Sequence, residues 1–200
     1  MRLMVSTTIK CNRSNAPMRS PDMITIGQQN VNRSSTCQHN LISSTVLTRR
    51  GIDIVALQEP AISKFGTLVA SRDWVLVYPT NHSKDPFKTR SLLLIRSNIL
   101  TEQWKQVEFP SGDITIVQLS SRWGEVTIFS IYNDCGKNNT ISQIEAFMQV
   151  HISPPGQHIE GSKPVLWCYT RTGRSSRHEV SVSGVSSGLS ALATCASGMW

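Results

Sequence analysis

Short apolar runs separated by Pro, Gly, Ser, Asp and Asn dominate the middle of the chain, a strand-like pattern. "MITIGQQN" sets Ile24 and Ile26 between polar neighbours and predicts a strand, 23–30, that closes on Asn30. From Ser34 to Thr48, Cys37, Leu41, Ile42 and Leu47 fall near helical spacing, and early Ser and Asn residues suit a helix start. "GIDIVALQEP" then predicts a strand over 52–58. Strand, helix and strand in such close succession form a βαβ unit, which makes the two strands parallel neighbours. "DWVLVYP", "RSLLLIRS", "QWKQVEFP", "DITIVQLS" and "GEVTIFSIYND" follow as strands with mostly antiparallel connections. The polar break before "TISQIEAFMQV" introduces a second helix, with Thr140 and Gln143 as a capping box and Ile141, Ile144, Phe147 and Met148 on one face. "KPVLW" is a further strand. The fold class is α/β: two packed mixed sheets covered by helices, a sandwich.

Outside this patterned middle, 23–168, the reading changes. Residues 1–22 are expected to be an unstructured basic tail, and 169–200 an irregular tail rich in Ser, Gly and Arg. Composition sharpens the picture. A chain of 200 residues fits one domain, and its net charge of +7 with a pI near 9.5 invites a nucleic-acid reading. That charge lies in the tails: Arg2, Lys10, Arg13 and Arg19 at one end, Lys163, Arg171, Arg174 and Arg177 at the other. The middle is close to neutral, so net charge alone is weak support for DNA as a partner. The five cysteines are widely spaced with no CxxC pair, which argues against a disulfide framework or zinc site. The N-terminal stretch lacks a signal-peptide core, so an intracellular chain, nuclear or cytoplasmic and not secreted, is expected. Val180 to Trp200 carries no charge, yet its Ser and Gly content is too polar for a membrane span. Nothing in the sequence indicates an oligomeric state.

Candidate chemistry collects at strand ends. Asn30 closes one predicted strand, Glu59 the next, and Tyr132, Asn133 and Asp134 a third. If those ends share an edge, a carboxylate, an amide and a phenol face one cleft, a set of oxygen ligands suited to Mg²⁺. Taken singly, each has a plainer reading. Glu59 is a solvated loop residue, Asn30 a turn former and Tyr132 a half-buried aromatic.

"IGQQNVNRS", "GIDIVALQEP", "VLVYPTNH", "KTRSLLLI", "ITIVQLS" and "VTIFSIYND", in this order, resemble the endonuclease/exonuclease/phosphatase superfamily. They are most similar to the endonuclease domain, associated with a reverse transcriptase, of fungal non-LTR retrotransposons. The resemblance covers about residues 23–167 and implies a four-layer α/β sandwich, here incomplete. It also implies that Glu59 holds a catalytic Mg²⁺ (or Mn²⁺) with Asn30 in or beside its shell. Tyr132 would orient the scissile phosphate, Asn133 would line the same edge, and Arg90 would contact substrate phosphate or anchor the site.

The departures carry as much weight. Such nucleases have a "GDFN"-like turn after the strand equivalent to "PVLW" and, later, an acidic residue followed by His. Here "VLW" leads into "CYTRTGRSSRHEV", no Asp follows Asp134, and His178 precedes Glu179 in a stretch with no strand pattern. The matched pattern stops near Trp167, as a frame change or unspliced intron would produce, or because the tail has diverged. The expectation is a truncated remnant of a Mg²⁺-dependent DNA endonuclease with little or no activity. The alternatives are an active phosphodiesterase completed by tail residues and a non-catalytic nucleic-acid-binding module.

Overall fold

The computed structural model describes residues 5–11, 23–43, 45–69, 71–121, 124–133, 139–151, 165–171, 178–183 and 189–194. The elements in chain order are β1 (Val5–Cys11), β2 (Met23–Asn30), α1 (Ser35–Ile42), α2 (Thr45–Arg49), β3 (Ile54–Gln58), β4 (Trp74–Val77), β5 (Ser91–Arg96), β6 (Trp104–Val107), β7 (Ile114–Ser121), β8 (Gly124–Asn133), α3 (Asn139–His151), β9 (Val165–Arg171), β10 (His178–Ser183) and β11 (Leu189–Thr194). Single 3-10 turns lie at Pro86–Lys88 and Thr101–Gln103. One sheet has the strand order β11-β1-β2-β3-β5-β4 and the other β10-β9-β8-β7-β6. β2 and β3 run parallel, with Asn30 opposite Gln58, as the βαβ pattern predicts. β5 is antiparallel to both β3 and β4, and β8 is antiparallel to β7 and parallel to β9.

The period-2 alternation of each strand sorts its side chains into separate layers. Ile54 and Ala56 of β3, with Leu93 and Ile95 of β5, pack against Val117, Leu119, Val126 and Ile128 of the other sheet. The intervening Val55, Leu57, Leu92 and Leu94 face outward, where Ile42 and Leu47 bring α1 and α2 onto the sheet. Ile114, Ile116, Phe129 and Ile131 form the corresponding outer face of the second sheet and receive Ile144, Phe147 and Met148 of α3. The Phe147 ring meets Phe109 edge-on at 5.3 Å and Phe129 at 6.4 Å. Helices, sheet, sheet and helix give a four-layer α/β sandwich. Leu57 and Ile116 are fully buried, and truncating either to Ala costs about 2–5 kcal/mol.

Local chemistry explains where elements differ from the sequence reading. The single helix expected over 34–48 is split between α1 and α2. Ser34 caps α1 by accepting the Cys37 N–H, whereas the Ser43 hydroxyl donates to the His39 carbonyl (2.6 Å) and competes with helix continuation. Gly51, at φ 59°, closes the turn after α2. α3 begins at Asn139, so Thr140, expected as its cap, lies buried inside the first turn.

Three strands fall in segments where irregular chain is expected. β1 lies in the supposedly unstructured 1–22, while β10 and β11 lie in the supposedly irregular 169–200. β1 pairs with β2 and β11, and β10 pairs with β9. Val and Thr in "VSTTIKC" favour extended backbone, and "HEVSVS" alternates Val180 and Val182 within Ser-rich surroundings that obscure the pattern. Among the described residues no helix is long and apolar enough to cross a membrane.

Candidate functional site

β2 and β3 end side by side, and left-handed backbone follows both. Asn32 (φ 50°), Arg33 (φ 54°) and Glu59 (φ 47°) are the non-glycine residues with positive φ among those described. Each such residue costs about 1–2 kcal/mol, a strain that concentrates at functional positions. Main-chain bonds hold these turns together. Val31 N–H donates to Gln58 O (3.0 Å), Arg33 N–H to Glu59 O (2.7 Å) and Glu59 N–H to Arg90 O (2.8 Å). From α1, the buried Gln38 amide donates to Ala61 O (3.2 Å) and accepts Ala61 N–H (2.8 Å), fixing the chain just past Glu59.

Asn30 shares the inward face of β2 with Ile26 and Gln28 by strand alternation and is only 2% exposed. Its Oδ1 accepts the Asn32 N–H at 2.8 Å, while the buried Nδ2 has no hydrogen-bond partner among the described residues. A buried donor left in that state loses its hydration unless a ligand or water completes it.

The second sheet brings Tyr132 and Asn133 at the end of β8. Tyr132 is 8% exposed, its N–H donates to Asp113 O (2.8 Å), and the Arg90 guanidinium lies over its ring at 4.8 Å. Arg90 also forks onto Asp113, Nε to Oδ1 at 2.5 Å and Nη2 to Oδ2 at 2.6 Å. These contacts hold Arg90 against Asp113 and Tyr132. Gly112 permits the approach: a Cβ there would lie 2.5 Å from Lys88 O, and the Gly112 carbonyl accepts the N–H groups of Arg90 (2.8 Å) and Ser91 (3.3 Å).

Thus Asn30, Glu59, Arg90 and Tyr132 are joined along one edge by strand pairing, main-chain bonds and the Arg90–Tyr132 contact, with Asn133 next in line. Asp113 was not singled out by sequence reasoning. Its signal was faint, an acidic residue opening a strand after Ser-Gly, the usual composition of a turn. Also missed was a polar seam beneath the edge, between the sheets. Gln58 Nε2 donates to Ser130 Oγ (3.3 Å), the Ser91 hydroxyl lies 2.8 Å from Ser130 O and 2.7 Å from Ser130 Oγ, and Thr115 Oγ1 donates to Ser91 O (3.0 Å). Every one of these groups is buried. Each adjoins the edge in sequence: Gln58 precedes Glu59, Ser91 follows Arg90, and Thr115 and Ser130 lie two residues from Asp113 and Tyr132.

The loop after Glu59 is stapled to the one before Arg90. Leu68 N–H donates to the Tyr78 hydroxyl (2.8 Å), and His82, stacked on Tyr78 at 4.0 Å, bridges Gly66 O (2.8 Å) and Thr89 Oγ1 (2.6 Å). Burial lowers the His82 pKa, with the Gly66 bond opposing it in part. Burial also raises that of the Tyr78 phenol, against the Leu68 bond. A neutral imidazole suits this bridge, donating to the carbonyl and accepting from the hydroxyl.

Among the described residues no three His, Cys, Asp or Glu side chains cluster as a metal cage. Mg²⁺ needs less, because one or two carboxylates suffice when water and substrate oxygens complete the octahedron. Glu59, just past the end of β3, and Asn30, at the end of β2, carry oxygen donors of the type such an ion takes. On the far side of the edge, Thr170 and Arg171 of β9 pair with Tyr132 and Asn133, so neither of the two residues ending that strand is a carboxylate. β10 returns beside β9 with His178 opposite Thr170, which aligns His178 with Tyr132 two strands away in backbone register.

No protein-family profile matches this sequence, and no curated protein matches it either. Among solved structures, the chain is similar to the endonuclease domain of TRAS1, a telomere-specific non-LTR retrotransposon, with 15% identity and a TM-score of 0.47 over 71% of this chain and 57% of that one. It is also similar to a humanized D. rerio TDP2 carrying 14 mutations, with 13% identity and a TM-score of 0.44 over 74% of this chain and 61% of that one. The chain therefore spans less than two thirds of either structure.

Proposed function

We propose that this chain is a phosphodiesterase-type domain of the endonuclease/exonuclease/phosphatase kind, related to retrotransposon endonucleases, that engages DNA at the edge carrying Glu59. The observation behind this reading is the left-handed backbone at Glu59, one residue past the Gln58 that pairs with the buried Asn30. Glu59 and Asn30 would hold Mg²⁺ or Mn²⁺, which when bound stabilises negative charge developing on a scissile phosphate. Tyr132, braced by Arg90, would orient the phosphate, and Asn133 would border it.

Hydrolysis also requires a positioned nucleophile and help for the leaving oxygen. Neither Thr170 nor Arg171, the last residues of β9, supplies a carboxylate for the first task, and on that ground the chain reads as a catalytically depleted relative that cuts DNA little or not at all. A plasmid-nicking assay with Mg²⁺ should show no cleavage above a Glu59→Ala control, and clear Glu59-dependent nicking would overturn the depleted reading. One observation favours an active enzyme: the register that aligns His178 with Tyr132. In that case His178→Ala should abolish nicking that depends on Glu59.

A further inference from the structure

Three of the large hydrophobics most exposed among the described residues come from the two stapled loops beside this edge: Phe65 (80%), Val69 (76%) and Phe87 (61%). Two of them are aromatic rings, and their positions are coupled. Phe65 precedes Gly66 and Phe87 follows Pro86, and Gly66 and Pro86 lie against each other, since a Cβ on Gly66 would sit 3.1 Å from Pro86 Cγ. The His82 bridge from Gly66 to Thr89 ties the same segments from below. The backbones that carry the rings are thus braced while the rings stand in solvent, at a cost in exposed apolar surface that folding does not require.

The short segments that carry the rings are net positive, with Lys64, Lys84 and Lys88 against Asp85. Lys64 lies over the Phe65 ring at 5.1 Å, Lys84 is exposed, and Lys88 pairs with Asp85 at 2.8 Å. Glu59 precedes one of these stretches and Arg90 follows the other, so the rings stand on the loops that lead from and into the candidate phosphodiester edge. Braced aromatic rings among lysines match the surface on which unstacked bases lie while their phosphates meet cations. An apolar protein partner would not call for the lysines, and a duplex keeps its bases stacked away from the rings.

We infer that Phe65 and Phe87, with Lys64 and Lys84, form a stacking platform for a single-stranded or locally melted nucleic acid strand passing the Glu59 edge. This rests on the reading of that edge as a phosphodiester site. The probe is a short single-stranded deoxyoligonucleotide containing 2-aminopurine, titrated with the full chain in EDTA so that neither metal nor cleavage contributes. Fluorescence anisotropy reports binding and 2-aminopurine quenching reports stacking. Phe65→Ser and Phe87→Ser should each weaken binding by about tenfold and reduce quenching while leaving the salt dependence unchanged. Lys64→Ala with Lys84→Ala should instead flatten the salt dependence. Both phenylalanines are exposed, so matching urea midpoints would show that folding is unaffected.

A double phenylalanine variant that binds and quenches like wild type overturns the platform, as does a wild-type chain that binds no strand. Self-association lost on the same substitutions, with strand binding unchanged, would also overturn it and give the rings to a second protein copy. Mn²⁺ binding that ignores Glu59 would sink the phosphodiester reading while leaving a positive stacking result in place.

Discussion

Arg90 and Asp113, 23 residues apart in sequence, form a two-pronged ion pair that fixes the arginine over the Tyr132 ring. Both side chains are largely covered, at 18% and 16% exposed. Losing one partner strands the other charge in poor solvation, whereas residual water access softens the loss. Asp113→Asn should therefore destabilise the chain by about 1–3 kcal/mol in urea unfolding. Combining Arg90→Met with Asp113→Leu should cost less than the sum of the single changes, and strict additivity would show that the pair is not coupled.

Glu59 offers a test in which stability and function move oppositely. Glu59→Gly relieves the left-handed strain and should stabilise the fold by about 1 kcal/mol. The same change should remove Mn²⁺ binding detected by water relaxation, and Glu59→Gln should weaken that binding with little change in stability. Unchanged Mn²⁺ affinity in both variants would take Glu59 out of any metal site.

Gly112 has no space for a side chain. Gly112→Ala drives a Cβ toward the Lys88 carbonyl and should cost about 1–3 kcal/mol, read as a lower urea midpoint. It should also loosen Tyr132, because Arg90 and Asp113 flank the displaced turn. A neutral outcome would mean that the turn relaxes freely.

Stability should depend on His82 near neutrality. Its folded pKa lies below the ordinary 6.5 because burial disfavours the cation. The unfolded chain therefore takes up the proton first, and the His82 contribution, fully present above 6.5, is lost as pH falls from there through the folded value. Urea midpoints between about pH 8 and about pH 5 should fall more steeply for wild type than for His82→Asn. Identical slopes would contradict the bridge.

Much of the fold was legible because strand patterns are local. Ile24 and Ile26, Ile54 to Leu57, and Leu92 to Ile95 announced their strands, and the βαβ spacing fixed β2 and β3 as parallel neighbours. Glu59 and Asn30 stood out because polar residues closed apolar runs. Asp113 did not, since its importance comes from Arg90 reaching it across two sheets, a relationship no sequence window contains. The seam of Gln58, Ser91, Thr115 and Ser130 was hidden for the same reason. Each residue read alone as a polar interruption, and only the facing sheet reveals its partner. β1, β10 and β11 were missed because extended segments at or near a sheet margin can be held by backbone pairing without a strong apolar period.

The seam also gives the interlayer an uneven response to temperature. Apolar contacts such as Ile54, Leu93, Val117 and Ile128 weaken on cooling, whereas hydrogen bonds among buried hydroxyls and an amide lack that hydrophobic temperature dependence. In the cold, the two sheets are gripped relatively more firmly beneath Glu59 and Tyr132 than along their apolar stretch. Loosening then begins away from the candidate site, and the edge keeps its geometry under conditions that soften the rest of the sandwich.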